Sequence, residues 1–254
     1  MHGGPFASIA QGTNSVIATK TGLSLADYVV TEAGFAADLG AEKFFNIKCT
    51  GAILTPKAVV LVVTVKALRH HGGALKQQLH QPAPQLVAQG LPNMEKHIEN
   101  LMAFGMHPVV CINRFPDDDP AEIELIVKSA AAYGVEAVSC KAFELGGEGA
   151  IALARAVAMV VEARQCHFKP LFDTKAPVEE KIKTIAVQLY GAKDVAYSVK
   201  AVNQLKTIKS LGFDRLPVCM AKTPKSLSDD EKLFGRPTGF VAAIREFEFA
   251  SGAG

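Results

Sequence analysis

Ala58 to Val65 reads AVVLVVTV, an almost entirely β-branched apolar run the length of one strand. Such a run has no solvent face, so it belongs in the middle of a parallel sheet covered on both sides. Pro108 to Ile112 repeats the signal, and Val135 to Val138 gives a shorter version. Between them lie helical stretches, Glu95 to Phe104 and Asp119 to Tyr133. Asp119 suits an N-cap, Pro120 the first helical position, Glu122 the third, and Gly134 the stop. Gly149 or Ala150 to Ala163 forms a helix with little polarity. Strands alternating with helices predict an α/β fold with a doubly wound, mostly parallel sheet.

Further helices are expected over Asn14–Ala26, Asp38–Lys48, Pro177–Leu189 and Ser198–Leu211. Short strands are expected at Tyr28–Thr31, Leu216–Met220 and within Phe240–Phe249. The texture changes after Lys169-Pro170, which predicts a core α/β domain over residues 1–169 and a smaller α/β subdomain over 170–254.

Several function classes drop out. Lys and Arg number 27 against 25 Asp and Glu, a net charge of +2, too small to make nucleic acid or an anionic membrane the main partner. No stretch approaches the ~20 apolar residues of a membrane span. The start has neither a basic patch nor an apolar segment of a signal peptide. The five cysteines form no C-x-x-C pair, which predicts reduced thiols in a cytoplasmic setting. No His/Cys cluster has zinc spacing, so no structural metal is expected.

Chemistry is expected where strands end, because open α/β sheets bind ligands beyond the carboxyl ends of their strands. One such loop is Asn113-Arg114-Phe115-Pro116-Asp117. Phe115 precedes proline and is pushed to extended backbone, so its ring either packs on the sheet or faces a planar ligand. Asp117-Asp118-Asp119 reads as a cap and solvated turn rather than a metal site. The next loop is Lys141-Ala142-Phe143-Glu144-Leu145-Gly146-Gly147-Glu148-Gly149. It places another phenyl ring before glycines that enter a helix, giving either a plain turn or an anion subsite at Gly146 and Gly147. Asn113, Asp117 and Ser139-Cys140-Lys141 loosely resemble the base-reading loops of GTPases, with the Asn–Asp spacing one residue too long. No G-x-x-x-x-G-K-[ST] occurs. A third loop, Glu32 to Asp38, surrounds Phe35 with small residues, and a fourth is His2-Gly3-Gly4-Pro5-Phe6.

The stretch VTEAGFAADLGAEKFFNIKC, Val30 to Cys49, resembles the signature of formate–tetrahydrofolate ligases. The likeness continues colinearly through HGGPF at residues 2–6, VKAL at 65–68, INRFP at 112–116, GGEG at 146–149, LPVCMAKT at 216–223 and SLSD at 226–229. The resemblance implies a P-loop NTPase-like core, incomplete in this chain. It implies ATP-dependent joining of formate to tetrahydrofolate through formyl phosphate, giving 10-formyltetrahydrofolate. It implies folate held between Phe115, with Pro116 shaping the pocket, and Phe143, where many members carry Trp. Phe35 is expected near formyl phosphate. ATP with Mg²⁺, a monovalent cation and a homotetramer are implied too. The family's P-loop precedes the HGGPF stretch, so this chain is expected to be an internal piece supplying the folate-binding part, with no catalytic residue assigned. The alternative expectation is an inactive remnant acting as a subunit-interaction module.

Overall fold

The computed structural model describes residues 13–249. The expected HGGPF loop therefore lies outside the described residues. In chain order, α1 spans Val16–Leu25, wide π-helical turns follow at Ala36–Ala41 and Phe44–Cys49, and α2 spans Thr50–Ala52. Then come β1 Val59–Val63, α3 Val65–His71, α4 Pro84–Ala103, β2 Pro108–Asn113, α5 Pro120–Ala132 and β3 Ala137–Cys140. The rest is α6 Ala142–Leu145, α7 Ile151–Glu162, α8 Val178–Thr184, a π-helical turn Ile185–Tyr190, β4 Asp194–Tyr197, α9 Val199–Ser210 and β5 Val241–Ile244.

Contacts divide the chain into two compact units. Among the described residues, one holds 13–55, Pro170–Glu231 and 237–249; the other holds Pro56–Lys169 and Lys232–Arg236.

The second unit is built on a parallel sheet in the order β1-β2-β3. Strand β2, not β1, is central: the run expected in the middle of the sheet stands at its edge among the described residues, with Val60 and Val62 exposed, while the β2 side chains from Val109 to Ile112 alternate between two apolar layers. Val110 and Ile112 join Leu68, Val87, Met94, Ile98 and Ile126 from α3, α4 and α5 on one face. Val109 joins Val138, Ala156 and Val160, so α7 covers the other face. The sheet is wound on both sides, as an α/β fold requires. Gly90 lets α4 cross α3 closely: a Cβ there would lie 2.0 Å from the Leu68 carbonyl oxygen. The short segment Lys232–Arg236 is fastened to this unit. Asn93 donates to the Gly235 carbonyl at 2.9 Å, and Arg236 grips the Glu99 carboxylate with two bonds of 2.7 Å.

The predicted start of α5 is present. Asp119 accepts from the Ala121 N–H at 2.8 Å, while Glu122 accepts from the Asp119 N–H at 3.3 Å. Pro120 opens the helix, and Gly134 follows it with φ +71°.

The first unit carries the two-stranded parallel sheet β4-β5. Two expected strands are absent among the described residues. Residues 28–31 pair with no strand: Val30 is 95% exposed, and the Thr31 hydroxyl donates to the Asn14 side chain instead. A segment with no buried face gains nothing from a ladder. Residues 216–220 also pair with no strand, and at the start of the segment the Arg215 and Leu216 carbonyls accept from the buried Lys181 ammonium at 2.9 and 3.2 Å. Those two carbonyls are satisfied by a side chain rather than by a neighbouring strand.

Candidate functional site

The carboxyl ends of β1, β2 and β3 leave the same edge of the sheet. Asn113, the last residue of β2, stands in register with Cys140, the last residue of β3. Neighbouring parallel strands lie about 4.8 Å apart, so the loops that follow start side by side. Phe115 comes two residues after Asn113, and Phe143 three residues after Cys140.

The first loop is held from below. The Phe115 N–H donates to the Asp118 carboxylate at 2.8 Å, and the Arg114 N–H donates to the Cys140 carbonyl at 3.0 Å, tying the two loops together. Phe115 is half-buried, Pro116 exposed, and Asp117 and Asn113 half-buried. Burial raises the Asp118 carboxyl above its ordinary value, only partly offset by the Phe115 N–H and the Arg114 guanidinium.

Asp117 does not present a free carboxylate for base reading. Its Oδ2 pairs with the Lys66 ammonium at 3.2 Å and meets His80 Nδ1 at 3.1 Å. Desolvation works to raise its carboxyl, but Lys66, a backbone N–H and His80 together hold it below the usual carboxylate range.

Under this loop lies a fully buried ion pair. Arg69 donates to Glu122 at 2.9 and 2.5 Å, with both side chains sealed from solvent. Glu122 also accepts the Ala83 N–H at 2.8 Å, and Arg69 donates to the Leu79 carbonyl at 2.7 Å. Desolvation opposes ionisation of Glu122, yet Arg69 and the Ala83 and Asp119 N–H groups keep its carboxyl below its ordinary value. The pair thus fastens α3, the 79–83 segment and the start of α5 together beneath Asp117.

The second loop stands open. Phe143 is 86% exposed, and residues 141–148, including Gly146 and Gly147, are all exposed. Gly146 adopts φ +58° and ψ −138°, a conformation that side chains avoid. Neither Phe115 nor Phe143 lies inside the apolar core. A ring left in water at 86% exposure is an apolar surface to which a flat ligand can stack.

The sequence alone does not mark Lys66 as a site residue. It sits in the first turn of α3, directly beyond the end of β1, where the rule that draws attention to Asn113 also points. His80, Arg69 and Glu122 carry no such mark in the sequence, because long-range contacts bring them here, whereas Asp118 lies within the loop itself and accepts the Phe115 N–H. A cavity of about 220 Å³ opens at the amino end of β2, lined by His107, Pro108 and Met159, away from these loops.

Phe35 belongs to the other unit. It is 69% exposed and sits between Gly34 at φ 81° and Ala36 at φ 59°. The helical turn behind it approaches closely, since a Cβ on Gly40 would lie 2.3 Å from the Ala33 carbonyl oxygen. The small residues there serve this backbone contact. Behind Phe35 lies a buried charged cluster. Asp38 pairs with Lys222 at 2.7 Å, and the Lys222 ammonium lies 4.9 Å over the Tyr190 ring. Glu42 accepts from Asn46 at 2.8 Å, and desolvation pushes its carboxyl up to about 7, against the Asn46 bond and Lys43.

All of residues 1–254 match the family model described as formate--tetrahydrofolate ligase.

Proposed function

The chain belongs to the formate–tetrahydrofolate ligase family, and on that premise we propose that the two loops above are its folate-binding face. The reaction proposed is ATP-dependent conversion of formate, through formyl phosphate, to 10-formyltetrahydrofolate. In this reading the pteridine stacks between Phe115 and Phe143, with Pro116 walling the pocket. Gly146 and Gly147 leave the backbone of the second loop uncovered. The family resemblance separately assigns Phe35 to formyl phosphate.

The observation that supports the reading best is the pairing of Asn113 with Cys140. It starts both phenyl-bearing loops at one sheet edge, with neither ring in the core. Each stacked pair contributes about 0.5–1.5 kcal/mol beyond burial. The family implies ATP with Mg²⁺ and a monovalent cation. Among the described residues no group of three His, Cys, Asp or Glu side chains is placed to hold a metal ion. No step is therefore assigned to Mg²⁺ or ATP through these residues. A homo-oligomer in the cytoplasm is part of the same reading; no helix among the described residues is long and apolar enough to cross a membrane.

A second reading, a non-catalytic subunit-interaction module, is favoured by β1. Its Val60 and Val62 are 38% and 61% exposed on an edge strand, and such edges invite pairing with another chain.

Calorimetric titration with tetrahydrofolate tests the first reading. We expect one saturable site, weakened at least about tenfold by Phe115→Ala or Phe143→Ala. No binding by folded protein overturns it, as does affinity unchanged from wild type in both variants. Co-elution with a full-length family member on size exclusion supports the second reading, and separate elution refutes it.

A further inference from the structure

The Lys66 ammonium lies 4.5 Å from the centre of the Phe115 ring, over its face. The same ammonium pairs with Asp117 at 3.2 Å, and Asp117 is met on its other side by His80 at 3.1 Å. A chain of contacts, His80 to Asp117 to Lys66 to Phe115, therefore ends on an aromatic face. Resting on the folate reading above, we propose that Lys66 is a positioning and specificity residue: it occupies one face of Phe115, leaves the opposite face to the ligand, and tunes that face toward an electron-rich, reduced pteridine.

The physical basis is the ring quadrupole. A phenyl ring is negative on both faces, so an electron-rich heterocycle stacked on it meets electrostatic repulsion. A cation held over the far face draws ring electron density toward itself and lowers that repulsion. An electron-poor, oxidised pteridine gains less from the same cation. Lys66 also fixes which way the ring can turn, because the ammonium is anchored independently of the ring by Asp117. The Lys66 and Asp117 side chains are 25% and 30% exposed, so the clamp is partly shielded from solvent yet open to a ligand's edge.

The test compares wild type, Lys66→Met and Lys66→Arg, each also in a Phe115→Leu background. Calorimetric affinities are measured for tetrahydrofolate and for folic acid. Lys66→Met is expected to weaken tetrahydrofolate about two- to fivefold, to weaken folic acid less, and to lose its effect when Phe115 is leucine. Lys66→Arg should restore wild-type affinity and preference. Melting temperatures of all variants are recorded, so that a loss of fold is separated from a loss of binding. Equal loss for both ligands, the same loss in the Phe115→Leu background, or no loss at all overturns the proposal. Weakened binding in Phe115→Leu but not in Lys66→Met overturns this inference and leaves the folate reading standing. Absence of binding by wild type overturns both.

Discussion

Breaking the Arg69–Glu122 pair should strongly destabilise the unit that carries the candidate site. Both side chains are sealed from solvent, and Glu122 answers three donors: Arg69, the Ala83 N–H and the Asp119 N–H. Glu122→Leu leaves a guanidinium buried without its counter-charge, and two N–H groups without an acceptor. Removing one partner of a buried pair costs about 3–5 kcal/mol. That is a large share of the roughly 5–15 kcal/mol that holds a domain folded. Arg69→Met leaves the opposite charge stranded and also frees the Leu79 carbonyl, so its cost is of similar size. The double variant removes both charges at once. Its cost should fall short of the sum by about 2 kcal/mol or more, the signature of residues that act together. Urea denaturation at neutral pH reads all four proteins. If either single variant costs under about 1 kcal/mol, the pair behaves like an exposed salt bridge, and the claim that it anchors the loop beneath Asp117 is wrong.

Other outcomes follow from the same structure. Glu42 is wholly buried with its carboxyl at about 7 against an ordinary 4.5, so the folded state holds a proton that the unfolded chain gives up earlier. Its contribution is complete below about pH 4.5 and is lost as pH rises through 7, a change of about 3 kcal/mol. Glu42→Gln, fixed in the neutral form, should flatten urea stability between pH 5 and 8 relative to wild type; parallel curves contradict this. Gly90→Ala places a Cβ 2.0 Å from the Leu68 carbonyl oxygen and should cost about 3 kcal/mol, whereas Gly147→Ala, with no heavy atom within 4 Å, should leave the melting temperature unchanged. Equal melting temperatures for the two glycine variants would show that α3 and α4 can part freely.

The parts legible in the sequence were those fixed locally. The Asp119-Pro120-Glu122 cap and the glycine stop after α5 state their structure within a few residues, and the apolar run of β1 states a strand but not its place, which is the sheet edge rather than the middle. Phe115 lies on a loop, as its place before Pro116 implies, whereas Phe143 lies in the short helix α6, which the sequence does not mark. What escaped was set by distant partners. Residues 216–220 look like a strand, but Lys181 takes the neighbouring carbonyls, and Lys181 is 34 residues from Arg215. Strand β4 is short, begins with Asp194 and has little apolar patterning, so its pairing with β5 is a tertiary choice. Helix α4 runs from Pro84 although only its second half was expected; Gly90 and Pro92 disguise its first half, and packing against α3 overrides their poor propensity. The clamp on Phe115 escaped for a related reason. Lys66 and Asp117 are far apart in sequence, and only the adjacency of β1 and β2 brings them together.

The central claim is that a pteridine lies between the rings of Phe115 and Phe143. Proton NMR of bound tetrahydrofolate reads this directly, because a ring held between two phenyl faces feels both ring currents. The account predicts upfield shifts of the pteridine-proximal protons, reduced in Phe115→Leu, reduced in Phe143→Leu and absent in the double variant. Shifts of the same size in all four proteins would place the ligand elsewhere and contradict it.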